Sequence, residues 1–150
     1  MRIGFCCKWL NDESEFGGMK VNAKDRNLNG RSTTMRWLRE HPEDAVQRQW
    51  DIMNHNAAAV RMIERVGTLP PERRMVRLGS EMLQGYTEAN WKTWWQQKEI
   101  QDHCAKIFAP VGEASRKNDV KISFHPGQFC VLSSVTPDIV ERSIEEFEYH

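Results

Sequence analysis

Three short β-rich segments separated by long helical periodicities constrain this chain more than any other feature. The segments are Arg2–Cys7, Met75–Gly79 and Val120–Phe124. In the last, Val120, Ile122 and Phe124 alternate with Lys121 and Ser123, the two-residue period of a strand. Between the first two, Pro42 is placed as the first residue of a helix, with Glu43 and Asp44 in its positive first turn. Val46, Trp50, Met53, Ala57, Val60 and Ile63 then recur every three to four residues. That spacing predicts one amphipathic helix to about Val66, stopped by Gly67 and followed by a turn at Pro70-Pro71. A second helix is predicted from Glu88 or Trp91 to Arg116, with Trp94, Gln97, Gln101, Cys104, Phe108 and Val111 on its face. Pro110 should kink or restart it. Thr136 and Pro137 open a third helix, apolar at Ile139, Val140, Ile144 and Phe147. Strand and helix therefore alternate three times, which predicts parallel strands joined by right-handed crossovers, an α/β fold. The polar stretch from Lys8 to His41 stands apart from this order; a loop of such length tends to be functional, and Thr34–Arg39 within it reads as a short helix.

Composition narrows the function. At 150 residues with 39% hydrophobic side chains, the chain can bury one core. Lys+Arg and Asp+Glu both count 21, so strong bulk attraction to nucleic acid or membrane is not expected. The balance is uneven: residues 1–80 hold 14 basic and 10 acidic side chains, and residues 81–150 hold 7 and 11. No apolar run has the length of a membrane helix, and MRIGFCCKWL lacks the apolar core and cleavage site of a signal peptide. A soluble cytoplasmic protein is the expectation. The four cysteines, Cys6, Cys7, Cys104 and Cys130, read as free, mostly buried thiols, because the vicinal pair suits neither a disulfide framework nor a zinc site. Trp91, Trp94 and Trp95 lie beside Lys92 and Lys98. They could stack on bases, but packing among neighbours is the ordinary role of such a cluster.

In parallel α/β folds, ligands bind where strands end. The third strand runs directly into His125-Pro126-Gly127-Gln128-Phe129. Pro126 fixes φ and Gly127 frees it, a sharp turn that exposes the following side chains. An imidazole at a rigid strand end is a good divalent-metal ligand, although a lone His is more often a satisfied turn residue. Glu81, two residues past Gly79 at the second exit, could join it; alone it reads as a surface or helix-dipole charge. One His and one Glu are fewer than a catalytic metal site normally has. His41 reads as a cap, and His55 and His103 as helix residues that pack or face solvent.

At these residues the sequence resembles the UV damage endonucleases, TIM-barrel DNA-repair enzymes, over their N-terminal portion. The resemblance rests on Arg2–Cys7 (RIGFCC), on Ser32–Leu38, on His55-Asn56, on Val76–Ser80, and above all on HPGQF at 125–129 followed by Val131-Leu132-Ser133-Ser134. It implies nicking of damaged double-stranded DNA 5′ to a lesion by a cluster of divalent metal ions, typically manganese, at the mouth of a barrel. By position it implies His125 and Glu81 as metal ligands. It implies Gln128 and Phe129 as the pair that wedges into the duplex at the damaged bases, with Phe5 as an aromatic nearby. Asn11 falls near an Asn that the family uses after the first strand. Phosphodiester cleavage suits metal ions that activate water, and lesion recognition by shape suits an inserted side chain. Arg31, Arg36 and Arg39 could contact phosphates.

Most of the family's metal ligands lie in later strands, and a TIM barrel typically takes about 250 residues. The helical pattern still runs at Glu146–His150. The expectation is therefore a single incomplete TIM-barrel domain over residues 1–150, holding about the first three βα units, truncated at its C-terminus and inactive alone. No membrane association and no obligate protein partner are expected. Two other readings stay open: a different metal-dependent TIM-barrel enzyme, such as an abasic-site endonuclease or sugar isomerase, and a non-catalytic fragment that binds DNA or a partner.

Overall fold

The three β-rich segments do form one parallel sheet. The computed structural model describes residues 1–10, 12–13, 19–20, 23–127 and 130–149. Its elements run β1 (Phe5–Cys6), β2 (Asp12–Glu13), β3 (Met19–Lys20), a 3₁₀ turn at Ala23–Leu28, α1 (Met35–Glu40), α2 (Pro42–Asn56), α3 (Ala59–Gly67), β4 (Met75–Gly79), α4 (Ala89–Trp95), α5 (Lys98–Asn118), β5 (Lys121–His125) and α6 (Pro137–Tyr149). The sheet order is β1-β4-β5. Phe5 stands opposite Val76 and Cys6 opposite Arg77, while β4 and β5 pair in parallel from Met75–Lys121 to Gly79–His125. All three chains therefore leave the sheet at the same end. β2 and β3 make a small antiparallel pair inside the polar stretch that the sequence leaves as loop.

Val76 and Leu78 are buried and Arg77 between them is exposed, so β4 turns one pleat face into the core. There it meets Met62, Ile63 and Val66 of α3, and Val111 and Ala114 of α5. A second cluster forms where Met53 of α2, Trp95 of α4 and Ile100 of α5 meet. Trp50, Trp91 and Trp94 pack around it edge to face, with Trp91 and Trp94 centroids 5.6 Å apart. The tryptophans thus serve packing.

The termini of the elements follow local chemistry. Thr34 caps α1 by accepting the Trp37 N–H at 3.0 Å, and Pro42 is the first residue of α2. His41 joins the two helices, its Nδ1 on the Trp37 carbonyl at 3.0 Å.

Several expectations are corrected. The first strand is two residues long, not six. The helix predicted from Pro42 to Val66 is two helices, because at Ala57-Ala58 the backbone turns to i→i+3 bonding, Ala58 N–H donating to His55 O at 3.0 Å. Its buried face is Ala45, Gln49, Ile52, Met53 and Asn56, leaving Val46 exposed, because two buried amides take core positions that apolar spacing does not count. The second long helix breaks at Gln96-Gln97 into α4 and α5, and buries Trp95, Ile100 and Ala114 rather than Gln97 and Gln101. α5 runs through Pro110 without restarting. On α6 the buried residue is Ser143, and Ile144 and Phe147 are about half exposed. All four thiols are free, but Cys6 is exposed and the other three only half-buried. Among the described residues, no helix is long and apolar enough to cross a membrane.

Candidate functional site

The middle strand sets the site. Beyond Gly79 the chain enters a short 3₁₀ turn, Ser80–Leu83, that folds the Glu81 carboxylate back over the strand end. A Cβ at Gly79 would collide with that carboxylate, and one at Gly30 would stand 3.1 Å from Glu81 Oε1. Glu81 is thus clasped between two glycines, both of which are needed for close approach.

Asn56, 1% exposed at the end of α2, fixes this arrangement. Its Nδ2 donates to Glu81 O at 2.7 Å and to Arg31 O at 3.0 Å, and its Oδ1 accepts the Arg31 N–H at 2.8 Å. One buried side chain satisfies three backbone groups from two loops. His55 adds a bond from Nε2 to Asn29 O at 2.9 Å. The HN step of the sequence is therefore a brace for the polar stretch, a role its helical position did not suggest.

His125 ends β5 opposite Gly79, on the strand next to the one that carries Glu81. The ring is exposed, and Nδ1 lies 2.8 Å from Pro126 O. A carbonyl can only accept, so Nδ1 donates here, which leaves Nε2 as the ring atom that could meet a metal ion. The turn after it is tied to α6. Gly127 N–H donates to Glu146 Oε1 at 3.0 Å, and Val131 N–H to Ser143 Oγ at 2.8 Å. Ser143, 2% exposed, donates its own O–H to Ile139 O at 2.7 Å. Neither Ser143 nor Glu146 was anticipated; the signal available was a Ser at core spacing after Ile139.

At the first exit Cys7 N–H donates to Arg77 O at 2.6 Å. Burial pushes the Cys7 thiol up to about 11, and the Cys6 thiol and the Glu81 carboxylate push the same way while Arg77 opposes them. Between the second and third exits lies a cavity of about 720 Å³, lined among others by Ser32, Glu81, Tyr86, Gly127, Arg142 and Glu146.

The structure thus brings Glu81 and His125 to neighbouring strand ends. Phe5 is placed lower, half-buried against the core and edge-on to Trp9 with centroids 5.5 Å apart. Gln128, Phe129 and Asn11 lie outside the described residues. Arg31, Arg36 and Arg39 are exposed on or just before α1, Arg36 held by Glu40 at 2.7 Å. Among the described residues no three His, Cys, Asp or Glu side chains group closely enough to hold a metal ion. His125 and Glu81 are suitable donors by chemistry, but they do not make a metal centre by themselves.

A parallel sheet in the sequential order β1-β4-β5, with helices between its strands and a cavity at the strand exits, makes this an α/β protein of the class that includes the barrels. The family described as UV-endonuclease UvdE matches residues 16–150, and the chain belongs to that family. It is 34% identical over 77 residues to a UV DNA damage endonuclease of Clostridium perfringens, covering 51% of this chain and 17% of that protein. It is 33% identical over 45 residues to the Bacillus pumilus UV DNA damage endonuclease, covering 30% of this chain and 14% of that one. The crystal structure of SacUVDE superposes with a TM-score of 0.63 at 23% identity, over 100% of this chain and 43% of that chain. The three parallel strands therefore form an unclosed part of a TIM barrel. The chain spans less than half the length of that structure and a smaller share of the relatives it matches.

Proposed function

We propose that this chain carries part of the site of a cytoplasmic DNA-repair endonuclease that nicks double-stranded DNA 5′ to UV lesions with divalent metal ions, manganese foremost. Family membership supports the endonuclease reading. The observation that carries it to residues is the register Gly79–His125, which sets the Glu81 carboxylate and the His125 imidazole at adjacent strand exits.

When bound, the metal ions would activate a water and neutralise the leaving oxygen. The chain's own residues would do the rest. Glu81 is held at a fixed point by Asn56 and two glycines, so a donor stands ready without reorganisation. His125 is exposed, and with Nδ1 engaged by Pro126 O its Nε2 would be the metal donor. In sequence Gln128 and Phe129 fall between Gly127 and Val131, whose amides are both tied to α6, and that anchoring suits a wedge that must resist a stacked duplex. The neighbouring cavity falls in the size range of small-ligand sites and suits a nucleotide displaced by that wedge. Arg31, Arg36 and Arg39 would meet phosphates. Further metal donors would come from outside the described residues, and little activity is expected of residues 1–150 alone.

The test is nicking of UV-irradiated against untreated duplex, with manganese and with chelator, by a chain that includes the remaining barrel strands. Cleavage just 5′ to the lesion, lost with chelator and in His125→Ala, is expected. Equal cutting of both duplexes would remove the damage-specific reading, and cutting that survives chelation would remove the metal.

A further inference from the structure

In an extended strand, consecutive side chains point to opposite faces. Cys6 and Cys7 do not: their sulfurs lie 3.2 Å apart. The cause is backbone. Cys7 has φ +62°, a left-handed value uncommon for a residue with a Cβ. Lys8 N–H donates to Cys6 O at 2.7 Å across it, closing a three-residue γ-turn of the rare positive-φ kind. Cys7 N–H is meanwhile fixed on Arg77 O. A strained turn at a strand exit, locked by the neighbouring strand, holds two thiols side by side, and Cys6 is exposed.

The geometry points to a two-thiol binding site for monosubstituted trivalent arsenicals at Cys6 and Cys7. The ligand class follows from the donor count. Zinc and other soft divalent ions take three or four protein ligands, and no such group exists among the described residues. A trivalent arsenic carrying one organic substituent needs two sulfurs and no more. In the reaction with an arsenic oxide, two S–H bonds and the As=O bond break and two As–S bonds form. The two protons and the oxygen leave as water, and arsenic stays trivalent, so no oxidant or reductant is required. The other two cysteines provide internal controls. Cys104 sits on Met53 Sδ at 3.2 Å and Cys130 on Ser143 O at 3.6 Å, each without a second thiol.

The two-thiol site does not rest on the proposed nuclease activity, and its test does not read that activity. The protein is titrated with phenylarsine oxide, digested with trypsin and analysed by mass spectrometry. One arsenical per chain is expected, on the peptide Ile3–Lys8, which holds both cysteines. A dithiol such as 2,3-dimercaptopropanol should remove it, and a monothiol at equal thiol concentration should not. Cys6→Ser should bind at least ~10-fold more weakly, because the second sulfur acts at high effective concentration. Cys104→Ser and Cys130→Ser should bind as the wild type does. Equal binding by Cys6→Ser and wild type, or an adduct on another peptide, would overturn the assignment. Cys6 is exposed, so that variant leaves the core untouched.

Discussion

Two side-chain braces hold the loops around the strand exits, and they differ in kind. On one side Asn56 of α2, wholly buried, bonds three backbone groups of the polar stretch and the β4 exit. On the other, Ser143 and Glu146 of α6 hold the turn after β5 through the Val131 and Gly127 N–H groups. Ser143 is buried and Glu146 half-exposed. A buried brace with several partners is part of the fold. A brace shared between a hidden hydroxyl and a half-exposed carboxylate should weigh less on global stability at its outer end than at its inner one. The difference teaches which contacts belong to the core and which face solvent: Glu81 stands beside the buried brace, and the Gly127 amide on the solvent-facing one.

The sharpest way to break this comparison is Asn56→Ala. It removes a buried side chain and the partner of three backbone groups, and should cost about 3 kcal/mol, lowering the thermal midpoint by roughly 6–12 °C in a scanning melt. Ser143→Ala should cost about 1–2 kcal/mol in denaturant unfolding, since the Val131 N–H loses its acceptor. If the two variants cost the same, the contrast is wrong. Glu146→Ala should change stability by less than about 1 kcal/mol, yet speed hydrogen exchange at the Gly127 amide. Glu146→Gln, which keeps an acceptor oxygen, should restore that protection. An unchanged exchange rate in Glu146→Ala would show that the carboxylate holds nothing.

The mildest effect lies on the α2 side and is read by pH. Burial raises the Cys7 and Cys104 thiols from 9.0 to about 11. Below pH 9.0 both states keep these protons and nothing is lost. As pH rises from there toward about 11, the unfolded chain ionises first, so stability falls across that window. Cys104→Ala should flatten part of that slope in denaturant titrations at successive pH values. A slope identical to wild type would mean the burial of Cys104 carries no proton linkage.

Much of the fold was legible. Thr34, Pro42 and the Thr136-Pro137 pair mark helix starts by chemistry that acts locally, and the structure has helices starting at Met35, Pro42 and Pro137. The three parallel strands follow from alternation, which is also a local signal. What failed was the reading of faces. Gln49 and Asn56 are buried in α2, and Ser143 in α6, yet a count of apolar spacing treats each as solvent-facing. Their burial is licensed by partners as far away in sequence as Gln84 and Arg31, so no window around them could reveal it. At the site, His125 and Glu81 could be named because strand ends are where ligands bind. Their neighbourhood in space needed the register of β4 and β5, which the sequence does not state. The paired sulfurs of Cys6 and Cys7 were hidden for a further reason, since a strand pattern implies the opposite orientation for adjacent residues.

The clasp around Glu81 has a consequence for engineering. Its carboxylate is positioned by what Gly30 and Gly79 lack, in two segments far apart in the chain. Copying this acid into another scaffold would therefore mean transplanting two empty spaces along with it. A donor at the right strand position, set beside ordinary side chains, would be pushed off its mark before any ligand arrived.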